Sequence, residues 1–427
     1  MKHRISTQKL ILVLLVTSVV TILGMNLFSS PEKEVKRNIA HEYGIDHPQF
    51  LRVMSVLLGP MLVEGNKVET LLNGEQIFPA MLAAIRSAKK TISFETYIYW
   101  SGEIGQQFAD ALAERAKAGV KVHILVDWAG SQKMDSKILD EIKASGIQIK
   151  KYHPLKWYML DRLNNRTHRK ILVVDGTVGF TGGVGIADTW NGHAQDKDHW
   201  RDTHYRVEGP VVNQMQAAFV DNWTKVSGDV LHGEEYFPPQ KPAGTHFAQM
   251  YKSSTEGGAD STHLMYLLSI AAASRSIDLS MAYFVPDDIA LTALEGALRR
   301  GVKVRILLPG AHIDSSIVRN ASRATWGRIL KAGAEISEYQ PTMFHCKILV
   351  VDRLWTSVGS TNFDSRSFKL NDEANLNVHD RDFAELQVAN FENDLKSAKR
   401  ITYEEWQARP LREKAWEHLM GFLGPQL

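Results

Sequence analysis

The chain has 427 residues, of which 44% are hydrophobic and 23% charged, so a disordered or low-complexity protein is excluded over most of its length. Its 50 Lys and Arg residues nearly balance 48 Asp and Glu residues, whereas a general nucleic-acid binder usually has a clear basic excess. The single cysteine, Cys346, excludes an intramolecular disulfide and a cysteine-based zinc site. We therefore expect two or three folded domains and no nucleic-acid partner.

The N-terminal segment differs in composition from the rest of the chain. Basic residues in the first nine positions precede an apolar run over residues 10–28, which as a helix would measure roughly 28 Å, close to a bilayer core. No small-x-small cleavage site precedes Pro31, because Phe28 occupies the −3 position. We expect an uncleaved single-pass anchor, with a cleaved signal peptide or a buried helix as the alternatives. The basic N-terminus favours an orientation that places the remainder outside the cytoplasm.

An internal repeat is the clearest sign of domain organisation. The segment KAGVKVHILVD, from Lys117 to Asp127, matches RRGVKVRILLP, from Arg299 to Pro309. Each is an apolar run typical of a buried strand and follows a strand and a helix-like segment, which implies a βαβ unit with a parallel strand pair. The predicted organisation is an anchor at 1–30, a connecting segment at 31–66, α/β repeats at 67–240 and 241–400, and a helical tail at 401–427.

A second pair of matching segments carries residues suited to phosphate chemistry. HRKILVVD begins at His168 and HCKILVVD begins at His345. Residues i and i+2 of a strand share a face, so each histidine lies beside a lysine, Lys170 or Lys347. Lysine neutralises phosphate oxygens, and histidine either attacks phosphorus or protonates a leaving alkoxide. Two histidines can serve both sides of one in-line displacement, which gives the duplication a chemical reason.

Four acidic residues accompany the two motifs. Asp175 and Asp352 lie seven positions after their histidines, an odd spacing that turns them away from the His/Lys face and predicts a structural role. Asp202 and Glu373 lie further along the chain. Either one can accept a hydrogen bond from the far ring nitrogen of a histidine, fixing its tautomer and stabilising its charged form.

A glycine-rich segment follows each motif, GGVG in the first half and GSTN in the second. Glycine lets the backbone approach a ligand closely, which favours Gly183 as part of a phosphate site. Ser360 and Asn362 offer hydrogen-bond donors for phosphate oxygens. No group of Cys and His residues has the spacing of a metal site, so we expect neither a metal nor another cofactor.

These paired motifs resemble those of the phospholipase D superfamily, and within it the bacterial cardiolipin synthases, over about residues 66–427. The resemblance is carried by the two H-x-K-x4-D motifs, by NRTHRK at 165–170, by RVEGP at 206–210 and by GSTNFDSRSF at 359–368. It implies a two-lobed α/β fold whose motifs meet at a pseudo-two-fold interface, and a phosphohistidine intermediate without a metal. The superfamily usually has Asn where Gly185 stands, which implies a less complete phosphate site in the first half.

We therefore expect a phosphatidyltransferase at a bacterial inner membrane. In this reading His168 attacks phosphatidylglycerol, while His345 protonates the departing glycerol and then activates a second phosphatidylglycerol to give cardiolipin. The alternatives are a hydrolase that uses water or another alcohol, a nuclease of the same superfamily, and a membrane scaffold with an inactive site. The anchor and the balanced charge disfavour the nuclease, and the two intact motifs disfavour the scaffold.

Overall fold

In a computed structural model of the protein, the described residues are 35–154, 164–254, 260–422 and 424–426, together with 9, 13–18 and 21. Most of the expected anchor therefore lies outside the described residues. Among the helices in these ranges, none is both long enough and apolar enough to cross a bilayer.

The described chain forms an α/β fold built on one large mixed sheet of fifteen strands, and four shorter strands pair outside it. The strands of the first half are β1 (Val63–Leu72), β2 (Thr91–Thr96), β3 (Lys121–Asp127), β4 (Gln148–Tyr152), β5 (Arg166–Thr167), β6 (Ile171–Val174), β7 (Val178–Gly182) and β8 (Thr203–Glu208). Those of the second half are β9 (His246–Lys252), β10 (Ser276–Met281), β11 (Phe284–Val285), β12 (Lys303–Pro309), β13 (Glu335–Tyr339), β14 (Lys347–Val351), β15 (Trp355–Gly359), β16 (Phe363–Asp364), β17 (Asn371–Asp372), β18 (Ala374–His379) and β19 (Ala398–Ile401).

The two halves have the same strand order. Read outward from the centre of the sheet, the order is β1-β8-β7-β6-β2-β3-β4 in the first half and β9-β18-β15-β14-β10-β12-β13-β19 in the second. When only the strands of the large sheet are numbered within each half, the two orders are identical, with β19 as an added edge strand. The parallel pairs predicted from the strand–helix–strand pattern are confirmed as β2–β3 and β10–β12. At the centre, β1 and β9 pair antiparallel and join the halves into one sheet.

Helices cover the sheet, which explains why strands such as β2 and β14 are buried along their whole length. The helices in the described ranges are α1 (Pro48–Leu58), α2 (Asn73–Ser87), α3 (Glu103–Lys117), α4 (Ser136–Ala144), α5 (Val212–Ser227), α6 (Asp260–Ala272), α7 (Asp288–Arg299), α8 (Ser316–Lys331), α9 (Ser365–Lys369), α10 (Arg381–Leu395), α11 (Tyr403–Gln407) and α12 (Leu411–Gly421). Several begin at a capping aspartate: the side chains of Asp135, Asp287 and Asp380 each accept a backbone N–H of the first turn.

The hydrophobic core is continuous between the two halves. Each half has a cluster of its own, and a third cluster contains residues of both. In this third cluster Phe219 and Trp223 of α5 pack in the same apolar layer as Phe383 and Phe391 of α10. Burying a side chain of this size stabilises a fold by about 1.5–3 kcal/mol, so the halves are held together by packing as well as by the shared sheet.

Asp175 and Asp352 lie behind the strands that carry the motifs. The Asp175 carboxylate accepts backbone N–H bonds of 2.7–2.9 Å from residues 89, 90 and 91, and Asp352 accepts equivalent bonds of 2.7–2.9 Å from residues 274, 275 and 276. Both residues adopt a left-handed backbone, with φ of 51° and 53°. Each carboxylate thus fixes the chain where the first strand of its βαβ unit begins, and it faces away from the His/Lys side.

Replacing Asp175 or Asp352 with Asn should lower stability more than turnover. Asn tolerates the left-handed backbone as Asp does, so the substitution mainly removes the charge that strengthens three backbone hydrogen bonds. We expect the free energy of unfolding to fall by about 1–3 kcal/mol, with turnover within about tenfold of the unmodified enzyme. Urea unfolding, and the activity expected from the two motifs, measured on the same preparations, test this. A variant of normal stability whose turnover falls a thousandfold would contradict it.

Candidate active site

Both motif histidines face one cavity. His168 lies just before β6 and His345 just before β14, and these two strands occupy equivalent places in the two halves. The cavity has a volume of about 520 Å³ and is lined by residues of both halves, including both histidines and Lys170. His168 is 8% exposed and His345 is 7% exposed. The fold therefore brings the two motifs, 177 residues apart in the chain (345 − 168), into one largely buried site.

Each histidine is paired with a carboxylate from the opposite half. Nδ1 of His168 lies 3.0 and 3.1 Å from the two carboxylate oxygens of Glu373, and Nδ1 of His345 lies 2.7 Å from Oδ2 of Asp202. Both carboxylates are fully buried. A carboxylate at Nδ1 favours the tautomer with its proton on that atom, which leaves the Nε2 lone pair on the other side of the ring.

The backbone repeats this crossed arrangement. The N–H of His168 donates to the carbonyl oxygen of Asp372 at 2.9 Å, and the N–H of His345 donates to that of Arg201 at 2.8 Å. These carbonyls belong to the residues just before Glu373 and Asp202. The short parallel strand pair β5–β17 lies next to the first of these two bonds, since β5 ends just before His168 and β17 contains Asp372. Each motif is thus oriented by main chain and side chain of the other half.

The two lysines lie beside their histidines. Nζ of Lys170 donates to the carbonyl oxygen of His168 at 2.9 Å, and Nζ of Lys347 donates to that of His345 at 2.7 Å. Nζ of Lys347 also lies 3.2 Å from each ring nitrogen of His345. Burial, reinforced by Lys347, lowers the pKa of Lys170 to about 7, and burial lowers the pKa of Lys347. A phosphodiester anion would reverse both effects by supplying the missing negative charge.

At neutral pH the histidines are neutral and their carboxylate partners are ionised. Burial lowers the pKa of His168 to about 4 and that of His345 to about 3, against the opposing pull of their carboxylates. Burial opposes ionisation of Glu373 and Asp202, yet the hydrogen bonds from the two histidines and the charges of Lys170 and Lys347 hold both carboxyl pKa values below the usual range. Both histidines are therefore available as neutral nucleophiles. The proton that one of them needs for acid catalysis is taken up when an anionic substrate binds.

The surroundings of the two carboxylates differ. Glu373 accepts hydrogen bonds from the hydroxyls of Ser360 and Ser367, at 2.5 and 2.8 Å. Ser360, predicted to hold phosphate, is thus engaged with the partner of His168. Asn362 lines the cavity, and its side-chain oxygen is buried without a hydrogen-bond partner in the described part of the chain. Of the two predicted donors, Asn362 lines the cavity and Ser360 does not, and the amide nitrogen of Asn362 is the group that can donate to a phosphate oxygen.

Around Asp202, aromatic side chains take the place of the hydroxyl groups that contact Glu373. The indole N–H of Trp190 donates to Asp202 at 2.9 Å, and the Trp190 and Trp200 rings each lie 5.4 Å from the His345 ring. A side chain at Gly183 would place Cβ 2.2 Å from Asp202, so this glycine makes room for the carboxylate rather than for phosphate. At Gly185 a Cβ would lie 2.9 Å from Ile98 and 3.2 Å from Trp190, so an Asn would displace the indole.

The cavity contains further groups that sequence reasoning did not assign. Arg166, Arg366, Trp190 and Trp200 all line it. Arg166 could have been predicted from the sequence, because it precedes His168 by two positions and residues two apart in an extended segment share a face. Trp190 and Trp200 could not have been predicted in this way, because they lie outside the two motifs. Within the described ranges, no three His, Cys, Asp or Glu side chains cluster as metal ligands would.

Comparison with known proteins agrees with this geometry. Residues 81–221 and 266–395 match the family model described as "Cardiolipin synthase, PLD-like domain", where PLD denotes phospholipase D, with one segment in each half. The chain belongs to this family. It is 36% identical over 367 residues to the cardiolipin synthase of Geobacillus kaustophilus (strain HTA426), covering 85% of this chain and 72% of that one. It is 34% identical over 370 residues to the major cardiolipin synthase ClsA of Bacillus subtilis (strain 168), covering 86% and 77%.

Among solved structures, the phosphatidylserine synthase of Haemophilus influenzae Rd KW20 has a similar fold. Its TM-score is 0.65 at 13% identity, over 89% of this chain and 100% of that one. At this identity the similarity establishes the fold of this cardiolipin synthase family member, including its two-domain α/β architecture.

Replacing Glu373 with Gln should lower turnover. Gln keeps the shape and an acceptor oxygen but cannot stabilise positive charge on His168. We expect kcat to fall by about 10- to 100-fold. The matched control is Glu208→Gln, which removes a partly exposed carboxylate paired with Arg206. Equal kcat values for the two variants, with both folded as judged by circular dichroism, would contradict the role of Glu373.

The pH dependence of kcat/KM should report the buried site. Because burial lowers the pKa of His168 to about 4, its lone pair is lost only as the pH falls towards that value. As the pH rises, kcat/KM for an anionic substrate should fall, because His345 loses the proton that it donates and, through about 7, Lys170 loses its charge. Initial rates on phosphatidylglycerol micelles between pH 4 and 9 test this. An acidic limb centred at 6.5 or above, the ordinary histidine value, would contradict it.

Proposed function

We propose that this protein is a cardiolipin synthase, which transfers the phosphatidyl group of one phosphatidylglycerol to a hydroxyl of a second and releases glycerol. The observation that carries this proposal is the pair of histidines, each held at Nδ1 by a carboxylate of the other half, on one lysine-flanked cavity. The cardiolipin synthases named above, 34% and 36% identical over most of the chain, support it.

In the first step, Nε2 of His168 attacks phosphorus and the bond from phosphorus to the glycerol oxygen breaks. Lys170 and Lys347 neutralise the non-bridging oxygens, and Asn362 donates a hydrogen bond to them. Protonated His345 gives its proton to the departing oxygen, so glycerol leaves as a neutral alcohol. Glu373 stabilises the positive charge that forms on the His168 ring. We assign His168 as the nucleophile because the superfamily resemblance implies that the histidine of the first motif attacks phosphorus.

In the second step, neutral His345 takes the proton of an acceptor hydroxyl as its oxygen attacks the same phosphorus. The phosphorus–nitrogen bond breaks, His168 returns to its neutral form, and cardiolipin is released. Asp202 stabilises the imidazolium that reappears at His345. Aromatic side chains limit the space for water near the intermediate, which favours an alcohol as acceptor. These side chains are Tyr97, Trp100, Trp190, Trp200 and Tyr283.

The proposal includes the organisation of the chain. We assign the catalytic repeats to residues 67–240 and 241–400, related by a pseudo-two-fold axis, and the equal strand order supports this. We assign a single-pass anchor to residues 1–30 at a bacterial inner membrane, with the catalytic region on the extracytoplasmic side. The apolar run over 10–28 supports an anchor. An anchored enzyme meets its lipid substrate at high effective concentration.

Incubating the purified full chain with phosphatidylglycerol vesicles tests the function. We expect cardiolipin and glycerol in equal amounts by mass spectrometry, with phosphatidic acid as a minor product. His168→Ala and His345→Ala should each keep less than about a tenth of the activity, since the two rings act as one unit. The control is His199→Ala, at a more exposed histidine paired with Asp196. Phosphatidic acid as the main product would assign a hydrolase instead.

A rapid acid-free quench followed by peptide mapping tests the choice of nucleophile. The phosphatidyl group should be found on the peptide that contains His168. Its presence on the peptide that contains His345 would reverse the two roles and leave the reaction unchanged.

A further inference from the structure

Two arginines line the active-site cavity in addition to Lys170. Arg166 belongs to the first half and Arg366 to the second. Arg166 lies in β5, which pairs with β17 only a few residues after Arg366. Burial lowers the pKa of Arg366, and the positive charge of Arg166 contributes in the same direction. The two guanidinium groups are therefore close to each other at the cavity, whose lining also includes the carboxylates of Asp314 and Asp364.

The guanidinium of Arg166 has an unused donor. Arg166 is 9% exposed, and its Nη1 is buried without a hydrogen-bond partner among the residues that the structure describes. The nearest carboxylate oxygen, Oδ1 of Asp127, is 3.6 Å away. Asp127 already accepts backbone N–H bonds from Ala129, Gly130 and Thr167. A buried donor without an acceptor is unfavourable, and a guanidinium fork matches the oxygens of a phosphodiester.

The position of Arg166 along the chain fits a second phosphate. Arg166 precedes His168 by two residues on an extended segment, so their side chains share a side and their Cα atoms are about 6.6 Å apart. A three-carbon glycerol that joins two phosphates has a similar reach. An anion on Arg166 would therefore lie on the same side of this segment as the phosphorus bound to His168, so that a glycerol could join the two.

We propose that Arg166, assisted by Arg366, binds the phosphodiester of the acceptor lipid. This inference rests on the proposed function and adds the residues that hold the acceptor of its second step, the alcohol that carries its own phosphodiester. With that phosphate on Arg166, the terminal glycerol hydroxyl of the acceptor reaches the phosphorus on His168, beside His345. Water and neutral alcohols carry no anion and are not stabilised by this contact. Arg166 and Arg366 therefore favour an acceptor that carries a phosphodiester over water or a neutral alcohol.

Competition between an anionic and a neutral acceptor tests this proposal. Unmodified enzyme and variants are given phosphatidylglycerol vesicles with a fixed concentration of ethanol, and cardiolipin and phosphatidylethanol are measured together. Arg166→Gln should lower the ratio of cardiolipin to phosphatidylethanol by about tenfold or more. Arg166→Lys keeps the positive charge but not the paired N–H donors of the guanidinium, so it should lower this ratio less. The control Arg206→Gln removes an arginine that pairs with Glu208 and should leave the ratio unchanged.

The ratio separates the acceptor role from other effects. An equal fall of both products in Arg166→Gln would overturn the proposal, because it would mean that Arg166 serves the donor phosphate or the fold. An unchanged ratio would overturn it as well. Unmodified enzyme that makes phosphatidylethanol but no cardiolipin would instead contradict the proposed function, whatever the variants do.

Discussion

Each active-site histidine depends on the opposite half of the chain. Glu373 holds His168 and Asp202 holds His345, and the carbonyl just before each carboxylate accepts the N–H of the same histidine. Because the bonds cross in both directions, neither half contains a complete site. The shared sheet and the mixed core are therefore requirements of the chemistry. Arg169 adds to them, since its fully buried guanidinium donates to carbonyl oxygens of Ala218 in one half and Ser253 in the other.

Burial sets the charge state of this site. Two lysines and two histidines lie in a cavity that removes water, so their charged forms are disfavoured until an anion enters. The two carboxylates remain ionised because they accept hydrogen bonds from the histidines and lie near Lys170 and Lys347. The histidines are therefore neutral at neutral pH, and a phosphodiester supplies a negative charge that favours the charged forms of the lysines and of the proton-donating histidine. Substrate binding and activation are thus the same electrostatic event.

The two halves have the same topology, yet they surround their histidines differently. Hydroxyls of Ser360 and Ser367 support the carboxylate beside His168, whereas tryptophans enclose His345. A two-step transfer uses the two histidines for different tasks, one bonded to phosphorus and the other exchanging protons with alcohols. A polar surrounding suits the first task, and a wall that restricts water suits the second.

The sequence by itself determined what depends on local alternation and on repetition: the two βαβ units, the shared face of each His/Lys pair, and the opposite direction of Asp175 and Asp352. These features follow from backbone geometry within a few residues. Only the tertiary structure decided which carboxylate meets which histidine, because Asp202 and Glu373 each pair across the interface and not with the nearer motif. It also decided that Ser360 serves Glu373 and that Trp190 fills the space beside Gly185. Those contacts are made by chain segments brought together through packing of the two halves, and no spacing along the chain encodes them.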